Sequence, residues 1–281
     1  EDWDGRYGEW DDDTIDWLLE LDVGRIPDND PATVQAICEK IRTYELDNGT
    51  WKNRGILLGP IIEFANENNG PLLKCDSAYL MEEMLDDWSW SGWSIYKMYE
   101  QEGIDPSSFS SVFPLTQATV RWALSDGTHA LVNMAGHGNS FGIYRRVWES
   151  DDLDNIPEES TGEVTLPPMF DRNDIPSLDD THPGIYFFGG CDCGKYNVPL
   201  AVGKQVLENG AIVSIAASEV VDHTNPWLNE DYGTLFTLQY LWNKRLVSSG
   251  LRPGPALTAA KEEYATSFTM DGAGVQLLLS M

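Results

Sequence analysis

The stretch "ALVNMAGHG", residues 130–138, runs from an apolar segment into a histidine held between two glycines, in a chain of 281 residues with only four histidines. A run that is apolar throughout, rather than alternating, belongs to a strand covered on both faces. Three more runs of this kind lie outward from it: "RGILLG" (54–59), "GIYFFGG" (184–190) and "AIVSIAAS" (211–218). Helical segments separate them. "DPATVQAICEKIRTYE" has Asp30 as N-cap, Pro31 at the first helical position, and Val34, Ile37, Cys38, Ile41 and Tyr44 at helical spacing. "SAYLMEEMLDDW" and "TQATVRWALSDG" read as helices, the second stopped by Gly127, and "VPLAVGKQVLENG" reads as a helix closed by Gly210. Apolar strands separated by helices predict an α/β layered fold with a mainly parallel sheet covered by helices on both faces.

In such sheets chemistry collects where the strands end at their carboxyl edge. The strand ends here carry Pro60-Ile61-Ile62-Glu63, Gly136-His137-Gly138, Gly190-Cys191-Asp192-Cys193-Gly194 and Ser218-Glu219. A Gly-His-Gly turn by itself fits a solvated loop, and a lone cysteine fits a packed core. Together, 54 residues apart and each directly after an apolar strand, His137 and Cys191 fit a thiolate nucleophile with its imidazole. The N–H groups of Gly138 and Cys191 are the natural oxyanion donors, since Gly138 has no Cβ to block close approach. The helix expected from near Val198 would help hold the thiolate only weakly, because it starts several residues late for a strong dipole effect. His223, after the strand at 211–218, is the second-choice imidazole, whereas His182 stands before its strand, at the wrong edge.

These residues resemble a family. "LVNMAGHGNS" followed by "IYFFGGCDCGKYNVPLAVGKQVLENGAIVSIAAS" resembles the catalytic core of the gingipain family of cysteine peptidases, part of the caspase-like group with clostripain and legumain. Caspases also place a histidine about 50 residues before the cysteine. The family's offsets match Gly194, Tyr196 and Asn197-Val198-Pro199, which implies that Cys191 rather than Cys193 is the nucleophile. Cys193 is then a spectator or packed thiol.

The resemblance extends over about residues 16–245. "DVGRIPDNDPATVQAICEKIRTYE" is similar to the family's Val-Gly-Arg segment and its following helix. "RGILLGPIIE" is similar to the strand whose following acid assists the histidine, which implies that role for Glu63. Trp227, in "DHTNPW", matches a tryptophan of the primary specificity pocket. The family's selectivity for Arg or Lys implies a pocket carboxylate, with Asp76 as the candidate; an N-cap on the helix starting at Ser77 is its competing role. The implied architecture is a caspase-like sandwich, with residues 1–50 closing a preceding subdomain and 51–281 forming the catalytic one.

The net charge of −28, from 46 acids against 18 bases, argues against a nucleic-acid partner, which needs a basic surface. It suits a cationic substrate, bound divalent cations or a salty medium. The opening "EDWDGRYGEWDDDTID" offers Asp2, Asp4, Asp11, Asp12 and Asp13 as ligands for structural calcium, which the resemblance also implies. A solvated acidic segment is the other reading. No cofactor is expected for catalysis.

No stretch approaches 18 consecutive apolar residues, so no membrane span is expected. The chain is expected to be a secreted or cell-surface piece of a longer precursor whose flanks lie before Glu1 and after Met281. Of the four cysteines, Cys38 is expected in the core of its helix, with a Cys38–Cys75 bridge left open. The functional expectation is a cysteine endopeptidase acting on a protein or peptide. The alternative is a catalytically inactive caspase-like structural or surface protein held together by calcium.

Overall fold

A computed structural model describes residues 19, 21–87, 90–221, 226–268 and 272–281. In chain order its helices are α1 (Pro31–Leu46), α2 (Ala78–Asp87), α3 (Gln117–Ser125), α4 (Val202–Glu208), α5 (Leu235–Asn243), α6 (Pro253–Ser267) and α7 (Gly272–Ser280). The strands are β1 (Arg54–Gly59), β2 (Ile61–Glu63), β3 (Cys75–Asp76), β4 (Ser94–Tyr99), β5 (Phe113–Pro114), β6 (Leu131–Ala135), β7 (His137–Asn139), β8 (Gly142–Tyr144), β9 (Val147–Trp148), β10 (Val164–Thr165), β11 (Pro168–Asp171), β12 (Gly184–Gly189) and β13 (Ala211–Ala216).

Six strands form one sheet in the order β13-β12-β6-β1-β4-β5, with every neighbouring pair parallel. The expected architecture is therefore present. Successive residues of a strand face opposite sides, and both sides are dry. Leu57, Leu131 and Phe187 pack with α2, α5 and α6 on one face. Ile56, Leu58, Val132, Met134, Tyr186 and Phe188 pack with α3, α4 and β11 on the other. The chain starts the sheet at β1, builds outward through β4 and β5, then returns to lay β6 on the opposite side of β1. That reversal falls between β1 and β6, and the carboxyl edge beside such a reversal is the usual place for a site in an open parallel sheet.

One polar knot crosses this core. Asn133 of β6 and Asn243 of α5, both fully buried, exchange hydrogen bonds of 2.7 and 2.8 Å. The Gln239 amide donates to the same Asn133 oxygen at 3.3 Å. Asn243→Ala leaves the Asn133 amide N–H groups unpaired in an apolar interior and its oxygen with only the longer Gln239 bond, and the expected loss of stability is about 1–3 kcal/mol. Urea unfolding reads this directly; an unchanged midpoint would mean the knot contributes nothing.

Two expectations are corrected, and the question of the Cys38–Cys75 bridge is answered. The cysteine in α1 is exposed, not core. The inward stripe of this helix runs through Ile37, Ile41 and Tyr44, and Cys38 sits one residue off it, about 100° around the helix. All four cysteines are free thiols, so no Cys38–Cys75 bridge forms. Helix α4 starts at Val202 rather than near Val198. Residues 195–201 are taken up by successive turns, with Val198 N–H on Lys195 O and Ala201 N–H on Val198 O, each at 3.1 Å. The Val202 N–H, at the first helical position, then bonds Ser140 O at 2.8 Å, so it serves the β7–β8 hairpin and not the thiol.

Candidate active site

β6 and β12 are neighbours, and Ala135 lies level with Gly189. His137 and Cys191 each follow that pair by two residues, so both emerge from the same edge of adjacent strands, about 4.8 Å apart in the pairing direction. The two turns touch through their backbones. A methyl group at Gly138 would lie 2.5 and 2.6 Å from Cys191 O and N and 2.7 Å from Gly190 C. One at Gly190 would lie 3.0 Å from Gly136 O and 3.1 Å from Gly138 N. Only glycines allow this approach.

The hairpin directs Gly138. β7 and β8 pair through Asn139↔Gly142, Gly138↔Ile143 and His137↔Tyr144, leaving a two-residue loop. The pair that closes such a loop is hydrogen-bonded, so the next pair, Gly138↔Ile143, is not. The Gly138 N–H therefore points away from β8 and is not used in the hairpin ladder. β7 is the edge strand of its sheet, which leaves that side open to the site.

His137 is half-buried, and its Nε2 lies 2.7 Å from Ile62 O. A carbonyl only accepts, so the proton sits on Nε2 and the lone pair on Nδ1. Ile62 is on β2, directly past β1, which brings a third strand end to the site. Glu63, the acid expected beside His137, is the next residue, half-buried and paired with Cys75 of β3. A backbone carbonyl carries no residue-type signal, and sequence reasoning missed it.

The thiol of Cys191 is half-buried and donates to Val221 O at 3.3 Å. The residue after it, Asp192, has φ of +57°, a left-handed turn that non-glycine residues seldom adopt. Asp192 N–H on Glu219 O (3.0 Å) and Gly194 N–H on Ala217 O (2.8 Å) hold the turn to the end of β13. Cys193 is fully buried, with its thiol on Gly142 O at 3.7 Å, and burial pushes that thiol far above its usual range.

Two consecutive arginines brace the site, and sequence reasoning did not single them out. Arg145 bonds Glu100 at 2.7 Å and Glu102 at 2.5 Å, tying the hairpin to the end of β4. Arg146 pairs with Glu67 and Glu159. Its backbone N–H reaches Ile61 O at 3.3 Å, and Glu67 also accepts the Phe64 N–H at 3.0 Å. Arg146 thus holds the segment on either side of the Ile62 carbonyl. Consecutive arginines right after a hairpin are the only signal the sequence offers for this.

Asp76 is buried at 4% exposure. Its Oδ2 accepts the Ser107 hydroxyl at 2.7 Å and its Oδ1 the Ala78 N–H at 3.0 Å, the start of α2. Burial raises its pKa against these two hydrogen bonds. Trp227 is 1% exposed, its indole N–H on Thr237 Oγ1 at 3.0 Å. The Trp227 backbone hydrogen-bonds the thiol of Cys75, next to Asp76, and burial pushes that thiol up to about 12. Asp76 and Trp227 are thus brought to one region. Asp2, Asp4, Asp11, Asp12 and Asp13, and also His223, lie outside the described residues. His182 sits before β12 at the opposite edge, 3.3 Å from Asp179.

The profile of Peptidase family C25 matches residues 2–279. The chain belongs to this family. Among C25 relatives of known structure, the Arg-specific cysteine proteinase gingipain R superposes with a TM-score of 0.65 at 14% identity, over 94% of this chain and 54% of that protein. The chain spans about half the length of gingipain R, and at that identity the likeness establishes the shared fold. No curated protein sequence matches the chain. Among the described residues, no helix of this C25 member is long and apolar enough to cross a membrane.

Proposed function

We propose that this chain is a cysteine endopeptidase with Cys191 as nucleophile and His137 as its general base and acid. The observation that carries the reading is the level exit of His137 and Cys191 from adjacent parallel strands, with Gly138 packed on the Cys191 backbone. Membership of family C25 supports the same chemistry.

The steps follow from the proton positions. Nδ1 of His137 takes the thiol proton while Nε2–H stays on Ile62 O. The thiolate attacks the peptide carbonyl carbon, and the oxygen gathers negative charge facing the N–H groups of Gly138 and Cys191. The imidazolium then protonates the leaving amine, releasing it and leaving an acyl-enzyme. Water, deprotonated by the same imidazole, attacks the thioester carbon; the C–S bond breaks, the acyl part leaves as a carboxylic acid, and the imidazolium returns its proton to the Cys191 sulfur. The Ile62 carbonyl stabilises the imidazolium, and Glu63 places a carboxylate one residue beyond it. A thiol probe directed at the active site tests the assignment: labelling at Cys191 with loss of activity supports it, and an unreactive Cys191 favours an inactive caspase-like domain.

Specificity for Arg or Lys is part of the proposal, with Asp76 and Trp227 in the pocket. What speaks for it is a buried carboxylate whose direct partners, the Ser107 hydroxyl and the Ala78 N–H, are both neutral. Gingipain R, which shares the fold, is described as Arg-specific. The competing role is the cap on α2. Asp76→Asn keeps the capping oxygen and removes the charge, so it separates the two. The expected result is a fall of about 10²-fold in kcat/KM on Arg and Lys substrates, or about 3 kcal/mol. Small apolar substrates should change little, and an equal loss on both would assign Asp76 to capping. Calcium binding by the acidic first sixteen residues remains part of the proposal, read out as a fall in melting temperature on chelation.

A further inference from the structure

A second acidic group lies away from the thiol, in the excursion between β9 and β10. These two strands pair through Trp148↔Val164 and Val147↔Thr165. The Glu149 N–H closes the loop onto Glu163 O at 2.7 Å. Within it, one carboxylate oxygen each from Asp151, Asp152 and Glu163 lie within 4.8 Å of one another. Calcium holds its oxygens at about 2.4 Å, so two ligands of one ion sit at most about 4.8 Å apart. The spacing meets that limit.

Proximity of acids alone would mean little, since solvated carboxylates often cluster. Glu163 is not solvated. It is only 4% exposed. Its Oε1 accepts the Asp152 N–H at 2.7 Å. Its Oε2 is buried without a hydrogen-bond partner. A buried, unpaired carboxylate oxygen is costly unless something positive meets it. The other hydrogen bond to the group is again a backbone donor, the Asn155 N–H to Asp151 at 2.9 Å. Among the described residues, no arginine or lysine side chain forms an ion pair with the three.

We infer that Asp151, Asp152 and Glu163 bind one calcium ion that ties the start of the 149–163 loop to its end. The donor set is all oxygen and carries three negative charges, which suits a hard divalent cation and not zinc, which favours nitrogen and sulfur. Loop carbonyls and water complete the six to eight ligands of calcium. Magnesium, with its strict octahedron and tightly held water, is served less well by three protein carboxylates in one loop. The site has a consequence for the cleft. The same loop supplies Glu159 to Arg146 and Pro157 O to the Asn68 N–H at 3.0 Å. Both contacts brace the turn after β2, whose Ile62 carbonyl orients His137.

Melting of the whole chain in millimolar calcium and in chelator tests this, with Glu163→Gln and, because Asp152 is exposed, Asp152→Asn as a variant that leaves the buried packing intact. Calcium should raise the melting temperature of the wild type by several degrees, and magnesium at the same concentration by less than half as much. Both variants should lose most of the shift and bind calcium at least about tenfold more weakly by calorimetric titration. In chelator, Glu163→Gln should melt at or above the wild type, because the uncompensated buried charge is gone. A packing role alone would lower it. The proposal is overturned if calcium leaves the wild type unmoved, if both variants keep the full shift, which would assign the ion to the acidic first sixteen residues, or if magnesium serves equally well.

Discussion

Replacing Cys191 by Ala is expected to lower peptide hydrolysis on every substrate by at least about 10⁴-fold, because no other group at the site can form the acyl intermediate. The informative comparison is Cys193, two residues away. It is fully buried and bonded to Gly142 O, and burial holds its thiol protonated far above neutral pH. Cys191 is half-buried at the end of β12 beside the His137 turn. Cys193→Ala should therefore keep kcat within about threefold and lose about 1–2 kcal/mol of stability from the small cavity. Steady-state kinetics with both variants, together with mass mapping of an alkylating probe, decides the matter. Activity surviving in Cys191→Ala, or alkylation at Cys193 instead, would overturn the assignment.

Gly138→Ala should cost about 10²–10³-fold in kcat with the fold intact, the range found for loss of one oxyanion donor. The added methyl would meet Cys191 O and N at 2.5 and 2.6 Å. Those atoms are backbone, so no side-chain rotation relieves the contact, and the β7 and β12 turns must separate. Separation pulls apart the two N–H groups that face the developing charge. Gly250→Ala is the control: nothing lies within 4 Å of its methyl, although φ is +65°. That variant should lose about 1 kcal/mol of stability and no activity. Similar kinetic losses in the two variants would remove Gly138 from the oxyanion site.

Much of the framework was legible in the chain. "RGILLG", "GIYFFGG" and "AIVSIAAS" announced themselves as strands because residues apolar on both faces have no solvated side to show. The structure forms β1, β12 and β13 within two residues of those runs. α1, α2 and α3 were readable from caps, spacing and Gly127, all local signals. The exposure of Cys38 was not, because Ile37 and Cys38 are both apolar neighbours and only the packed sheet chooses which of them faces inward. The late start of α4 was hidden for a similar reason: the Val202 N–H is claimed by Ser140, 62 residues earlier.

The sequence by itself determined the residue types of the site and their place at strand ends. His137 between glycines and Cys191 before Asp192 are chemistry written in neighbouring positions, and the apolar runs before them carry local information. Tertiary structure decided which strand ends meet. β6 lies between β1 and β12, although 71 residues separate the ends of β1 and the start of β6, and that pairing is a balance over the whole sheet. It brings the Ile62 carbonyl to His137, packs Gly138 on the Cys191 backbone, and gives Asp76 its partners in Ser107 and Ala78. Backbone carbonyls and N–H groups are the same at every residue, so their roles exist only once distant segments are packed together.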